Sequence, residues 1–444
     1  MASMKRWAIT TALAAALAVP ATAFATTAGY FELGYSAKND GLAGAGVALP
    51  EDSMAQATNP AGISFIGNRA DVGVAFFWAL RGYATGRNPV NGQPGFQFPL
   101  PNNPPVVVGS NSDFFIIPHA AVSYALDRTN AVGFAMYGNG GMSTNYKVYP
   151  GPFNAAFQPG PSSQTGVSFK QLFMQATYAY KITPHDSVGV GLLYVRQYFS
   201  ADGLGMFGQF GYSSNASALT GNGVDMSTGF GFRLGTQIRL MRDLNFGLSY
   251  TPEIHMSRFA GYSGLFRDHG DFNIPQTWTA GLAFKPVRRQ VVAFDVQRTY
   301  YGGVPTIGMN GDCLGTNTCR GINGLGSENG PGFGWADITV YKLGYQLATS
   351  RQWTWRVGFA YNTEPVSASQ TLFNVLAPGV IQRDITAGFT DHITHSQDVT
   401  VAAMWGIPKK IYSNDSAAGV TGFGAPTYIY LQEYQVDANW GINF

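Results

Sequence analysis

Between residues 223 and 240 the chain reads GVDMSTGFGFRLGTQIRL. One alternate row is Met226, Thr228, Phe230, Phe232, Leu234, Thr236, Ile238 and Leu240; the other is Asp225, Ser227, Gly229, Gly231, Arg233, Gly235, Gln237 and Arg239. Successive side chains of a strand point to opposite faces, so this stretch is a strand with one oily and one polar side along its whole length. No soluble core needs eight such repeats in one strand, whereas a strand crossing a bilayer needs about 9 to 11 residues. Residues 69–83 repeat the pattern, with Val72, Val74, Phe76, Trp78 and Leu80 on one face and Gly73, Ala75, Phe77 and Ala79 on the other. The C-terminus does so again, setting Tyr434, Val436, Ala438, Trp440, Ile442 and Phe444 against Gln435, Asp437, Asn439, Gly441 and Asn443.

The remaining apolar features exclude helices as the spanning element. Lys5 and Arg6 precede an apolar run from Trp7 to Val19 and the small residues Ala23 and Ala25, which predicts an export signal over residues 1–25, cleaved after Ala25. That run is too short to span, and no later stretch offers the roughly 18 consecutive apolar residues of a membrane helix. A mature chain in a membrane must then be a closed barrel, because lipid provides no partners for open backbone groups.

Similar alternating rows lie near 114–126, 131–144, 167–180, 187–199, 244–251, 272–284, 291–300, 337–347, 353–362, 383–390, 398–407 and 428–444, giving about fourteen strands. Short links such as LDRTN, MRD and DHITHSQ alternate with long Gly/Pro/Asn-rich ones, as in barrels with short periplasmic turns and long external loops. The expected fold is all-β: a transmembrane antiparallel β-barrel over residues 69–444, with residues 26–68 folded inside the lumen as a hatch. Both ends of the mature chain fall on the periplasmic side, and the last strand must pair with the first to leave no open edge. Charged residues make up only 12% of the chain, well under the roughly 25% of ordinary soluble domains. The net charge of +2 gives no reason to expect nucleic acid as a partner.

Ahead of the first strand, Asn59-Pro60-Ala61-Gly62 is a turn: Pro60 fixes its own backbone angle, Asn59 is pushed extended, and Gly62 is free to take positive φ. Cys313 and Cys319 lie close together in an exported chain, which favours a small loop disulfide over two free thiols.

Taken together, the hatch ending in Asn59-Pro60-Ala61-Gly62, the run YGNGGMSTNY in the third strand, IPQTWTAGLAFKP before VAFDVQRTYY, and the aromatic C-terminus resemble the FadL-type family of outer-membrane transporters for long-chain fatty acids and other hydrophobic compounds. The resemblance implies a fourteen-stranded barrel plugged by the hatch, with a kinked third strand that releases ligand sideways into the bilayer. It places the kink at Gly138, Asn139, Gly140 and Gly141, where strand glycines otherwise mark a bulge or bend. It also implies an apolar capture groove between two external loops, here carrying Leu204, Met206, Phe207 and Phe210 on one and Phe259, Tyr262, Leu265 and Phe266 on the other; the alternative is that these loops pack on each other. The aromatic-terminated last strand resembles the signal that barrel-assembly machinery reads. A monomer without cofactor or bound metal is expected.

The inward rows separate a hydrophobic transporter from an open porin. They carry Phe77, Phe115, Ile117, Phe173, Leu193 and Val195, expected to contact ligand, and only a few charges: His119, Arg233, Asp295, Lys342 and Arg356. Burying roughly ten methylenes at about 0.8 kcal/mol each would hold a fatty acid tightly, so hatch movement is expected to weaken the site. Arg233, Lys342 or Arg356 are candidates for a carboxylate head group; the alternative pairs them with Asp295 or with the hatch acids Glu51 and Asp52. Outward Arg196 and Arg298 suit phosphates of outer-membrane lipid and lipopolysaccharide. Long-chain fatty acid is the leading substrate expectation, followed by aromatic or aliphatic hydrocarbons and then a general porin. A hydrolase built on Asp391, His392, His395 and Ser396 comes last, since those residues fall in a periplasmic turn with no fixed nucleophile geometry.

Overall fold

The computed structural model describes residues 28–87, 94–95, 106–147, 164–316, 318–414 and 427–444. The expected export signal and the side chain of Met206 lie outside the described residues. Fourteen long strands carry the fold: β1 (Arg69–Arg87), β2 (Phe114–Ala125), β3 (Asn130–Ser143), β4 (Gln164–Lys181), β5 (Ser187–Asp202), β6 (Asp225–Met241), β7 (Leu244–Thr251), β8 (Thr277–Phe284), β9 (Gln290–Thr299), β10 (Ile338–Ala348), β11 (Trp353–Asn362), β12 (Arg383–Asp391), β13 (Gln397–Tyr412) and β14 (Tyr428–Asn443). Each pairs antiparallel with its chain neighbours. The ring closes between β1 and β14, in register from Arg69 opposite Asn443 to Ala84 opposite Tyr428. Phe444 then donates its N–H to Asn68 O at 3.0 Å, so the terminal residue sits beside the start of the first strand.

Alternation sorts the side chains as period two requires. On β6, Phe230 is 78% exposed while Ser227 is fully buried and Arg233 nearly so. The oily row therefore faces outward and the polar row faces the lumen, the reverse of a soluble barrel. One strand begins later than its pattern suggests: β8 starts at Thr277 instead of residue 272. Pro275 offers no N–H to a ladder, and Ile274 instead makes an isolated bridge with Ile254.

Residues 28–66 run inside this ring. They form short turns of helix at Ala37–Asp40 and Ala55–Thr58 and a 3-10 turn at Pro60–Phe65, with no long strand of their own. The wall makes room for them with glycine. Gly189 on β5 and Gly235 on β6 are direct cross-strand partners. A methyl on Gly235 would lie 2.1 Å from Asn59 Oδ1, and one on Gly189 would lie 2.5 Å from Ala61 N.

Asn59 is extended, as a residue before proline must be, and its Oδ1 accepts from Ala61 N at 3.1 Å. Its Nδ2 donates to Val47 O (2.8 Å) and across to Thr236 O of β6 (3.0 Å), while Ala61 O accepts from Ser187 Oγ (3.0 Å). Gly62 does not take the positive φ expected of it; it continues the 3-10 turn, and glycine suits it because a Cβ there would press Pro50 Cβ at 3.0 Å.

Candidate transport site

Two halves of the lumen differ in chemistry. Near the short-turn end the interior is ionic. Arg69 on β1 forms an ion pair with Asp71 at 2.7 Å and with Asp398 of β13 at 2.8 Å; Lys38 of the hatch joins Asp398 at 3.2 Å. Among the described residues, nine acidic and six basic side chains other than histidine are buried, so the lumen is more polar than its few expected charges suggest. Those on strands are lumenal by strand parity, while Glu32, Lys38, Asp40 and Asp52 stand on the hatch, whose irregular backbone has no readable parity.

Each proposed head-group cation is already engaged. Lys342 Nζ donates to Leu33 O of the hatch at 2.8 Å. Arg356 pairs with Glu51 at 3.2 Å and donates to Thr390 Oγ1 at 2.6 Å. Arg233 donates to Thr251 Oγ1 (2.9 Å), to Tyr137 OH (3.0 Å) and to the carbonyl of Ala57 in the hatch. Asp295 accepts the N–H groups of Gly46 (2.8 Å) and Val47 (2.9 Å). The hatch is thus held at four wall positions from β6 to β11. Asp52 takes Ser36 Oγ at 2.8 Å within the hatch itself. His119 lies 3.9 Å from Asp437.

Toward the loop end the lumen is apolar. Phe77, Phe115, Ile117, Phe173, Leu193 and Val195 all belong to one buried cluster, with exposures of 5% or less. The same cluster contains Leu204, Phe207, Phe259, Tyr262, Leu265 and Phe266 from the loops. These loop residues face one another and the lumen instead of water; Phe210 alone among those described stays open, at 46% exposure. Apolar side chains on adjoining loops collapse onto each other, the packing that is the alternative to an open groove.

Aromatic rings run from these loops into the lumen. Phe266 meets Phe272 at 5.0 Å between centroids, Phe272 meets Phe169 of β4 at 4.6 Å, and Phe169 meets Tyr30 of the hatch at 5.7 Å. Tyr30 also packs on Tyr301 (5.1 Å) and Trp335 (6.1 Å) from the fifth long loop, where Cys313 and Cys319 are joined as a disulfide. Of these rings, strand parity predicts only Phe169; the others stand on loops or the hatch.

The column ends at a break in the wall. β3 slips register between Gly138 and Gly140, and Gly140 has φ +143°. Tyr30 O accepts from Gly141 N at 3.0 Å, Glu32 N donates to Asn139 O at 3.1 Å, and Phe31 bridges Gly140. The hatch therefore adds a short strand at the bulge, and a methyl on Gly140 would lie 1.7 Å from Tyr30 O.

On the other side, β2 pairs with β3 only from Ala120–Met136 to Ala125–Ala131. From Ala135 onward both rows of β3 are buried, so the strand bends in from the lipid-facing wall. Farther up, the gap is roofed by Ser112 Oγ···Ser143 Oγ (2.8 Å) and by Asn111 N donating to Asn145 O (2.7 Å). The stretch between, flanked by Ile117, His119, Tyr137 and Asn139, has no β2–β3 ladder pairing.

Beneath the column lies a cavity of ≈ 50 Å³ lined by Phe31, Leu33, Tyr35, Phe173, Arg233 and wall threonines. That volume suits a few waters, at about 10–15 Å³ each, and excludes a ligand of many carbons.

Elsewhere, Arg298 is paired with Asp337 at 3.1 Å and Arg196 donates to Tyr194 OH at 3.1 Å. In the turn between β12 and β13, the His392 ring lies 3.4 Å from Thr354 Oγ1 and Asp391 accepts from Gln352 (3.0 Å), and among the described residues no hydrogen bond brings Asp391, His392, His395 and Ser396 together.

Comparison with known proteins agrees with this geometry. The profile of the family described as outer membrane protein transport protein (OMPP1/FadL/TodX) matches residues 18–437. No curated protein matches. Among solved structures, the toluene transporter TodX of P. putida superposes with TM-score 0.65 at 16% identity, covering 93% of this chain and 99% of that one. A Pseudomonas aeruginosa FadL homologue gives 0.65 at 15%, covering 94% and 100%, and the toluene transporter TbuX of Ralstonia pickettii gives 0.62 at 16%, covering 93% and 99%. At these identities the superpositions speak for the fold, and the profile for membership. A closed barrel with its oily row outward, a filled lumen and a profile match along nearly the whole chain identify it as an outer-membrane channel for hydrophobic compounds of the OMPP1/FadL/TodX family.

Proposed function

We propose that the protein takes up neutral hydrophobic molecules of the hydrocarbon class, receives them between the long loops, passes them along the aromatic column and releases them sideways through the window between β2 and β3. The observation that carries this reading is the meeting of the column, the hatch strand at Tyr30–Phe31 and the bulge at Gly138–Gly140 beside a stretch of wall with no β2–β3 pairing. Sideways release spares an apolar molecule the cost of crossing water.

The choice of a neutral ligand over the fatty acid expected from sequence rests on the cations. Arg233, Lys342 and Arg356 are engaged by the hatch and wall, and buried acids outnumber buried bases. The toluene transporters of similar fold are named for a ligand of this neutral kind. A fatty acid is favoured by one observation only: Arg81, buried over the Phe115 ring at 5.2 Å, keeps an Nε–H without a partner. Cells producing the protein should take up labelled toluene and octane faster than cells lacking it, with little gain for oleate. Faster oleate uptake that disappears in Arg81→Gln would support the fatty acid reading, and equal uptake of every compound would defeat both.

A further inference from the structure

The inner row of β4 from Phe173 to Val167 and that of β5 from Leu193 to Ala201 are apolar, with one interruption each. Phe173 faces Val195 and Phe169 faces Phe199, and between these pairs Gln171 faces Gln197 as a direct cross-strand partner. Both glutamines are completely buried. Partners on one face of a ladder stand about 5 Å apart at Cβ, so the two amides share one spot. The pair lies level with the bulge, because Gln171 is also opposite Gly140 of β3.

A relay from the hatch orients Gln171. Tyr35 OH donates to Asn139 Oδ1 at 2.9 Å, and Asn139 Nδ2 donates to Gln171 Oε1 at 3.0 Å. The carbonyl of Gln171 is thereby used. Its Nε2, and both Nε2 and Oε1 of Gln197, have no hydrogen-bond partner among the described residues. Ser227, which faces Gln197 from β6, does not serve it, since its hydroxyl donates to Ser257 O. Tyr30 of the aromatic column packs on Phe169 at 5.7 Å and brings its hydroxyl close enough to interact with Gln171.

Buried amides are paired in nearly every folded protein, because an unmade bond forfeits hydration without return. The unused set here is two amide NH2 groups and one amide oxygen, all uncharged and set among aromatic rings. It matches a neutral oxygen: a ketone accepts from the amides, and a hydroxyl both accepts from them and donates to Gln197 Oε1. Resting on the reading of a neutral hydrophobic ligand, we infer that Gln171 and Gln197 form a polar subsite in the column. Through it the channel takes hydrophobic molecules bearing one uncharged oxygen group, long-chain alcohols and alkyl ketones among them, in preference to their hydrocarbon isosteres. The subsite atoms are buried, so ligand reaches them as the surrounding side chains move apart.

The test compares cells producing the full-length protein with cells lacking it, using labelled 1-decanol and its isostere n-undecane. Protein-dependent uptake of the alcohol should exceed that of the alkane by about five- to tenfold, the worth of one added hydrogen bond. Gln197→Leu, which removes two of the three unused groups, should bring that ratio down to about one, and Gln171→Met should lower it in the same direction. Folding of each variant is checked by migration of the unheated barrel. A general loss of transport lowers both compounds alike and leaves the ratio where it was. Equal uptake of the two compounds by the wild type, or a ratio unchanged in both variants, would overturn the subsite and leave the neutral-ligand reading standing. Absence of protein-dependent uptake of either compound would overturn both.

Discussion

Arg356 on β11 and Glu51 in the hatch lie 3.2 Å apart with both side chains largely buried, joining residues 305 positions apart. The contact ties the stopper to the wall through a charged pair shielded from water. Removing one partner of such a pair leaves an uncompensated buried charge, at a cost on the order of 3 kcal/mol. Arg356→Met should therefore loosen the hatch, read as faster protease cleavage within residues 40–60 and brief conductance openings in planar bilayers. Glu51→Gln/Arg356→Met, which removes both charges, should recover part of the loss.

The same pair sets an acid limit. Burial pushes the Glu51 carboxyl up, but the Arg356 guanidinium and its hydrogen bond outweigh that, holding the group below its ordinary value of 4.5. A depressed carboxyl contributes stability that is complete above the ordinary value and is lost as pH falls through the folded one. Hatch protection should decline as pH falls below about 4.5, with that decline shifted or absent in Glu51→Gln. A decline centred near pH 6.5 would assign the transition to a histidine instead.

The bulge on β3 tolerates no side chain. At Gly140, φ is +143° and an added Cβ would collide with Tyr30 O, so Gly140→Val must displace the hatch strand or the bulge. Uptake of labelled toluene should fall severalfold while the barrel still folds. Uptake equal to wild type would remove this wall from the path.

Asn59 caps the 3-10 turn and reaches Val47 and Thr236 with its amide. Asn59→Ala removes all three contacts, at about 1–2 kcal/mol. The hatch end, and not the barrel, should lose hydrogen-exchange protection.

The barrel was legible because period two is a local property: the rows of β1, β6 and β14 face lipid and lumen as their residues suggest. The turn at Asn59–Pro60 was legible too, since proline dictates its neighbour's backbone. What the sequence hid depends on register and on chain segments far apart. The seat formed by Gly189 and Gly235 exists only once β5 and β6 pair. Lys342 looks like a free cation until Leu33 arrives across 309 positions. The loop aromatics lack a periodicity that would show whether they face water or each other, and Pro275 cut short a strand whose alternation reads on through it.

The central claim is sideways release of a hydrophobic molecule between β2 and β3, and the window can be locked. Ile117→Cys and Asn139→Cys place thiols on its two edges, where a short bifunctional methanethiosulfonate joins them and reductant frees them. The account predicts that cross-linking abolishes toluene uptake, that reductant restores it, and that the reagent leaves each single-cysteine variant active. Undiminished uptake with the window shown to be cross-linked would contradict it.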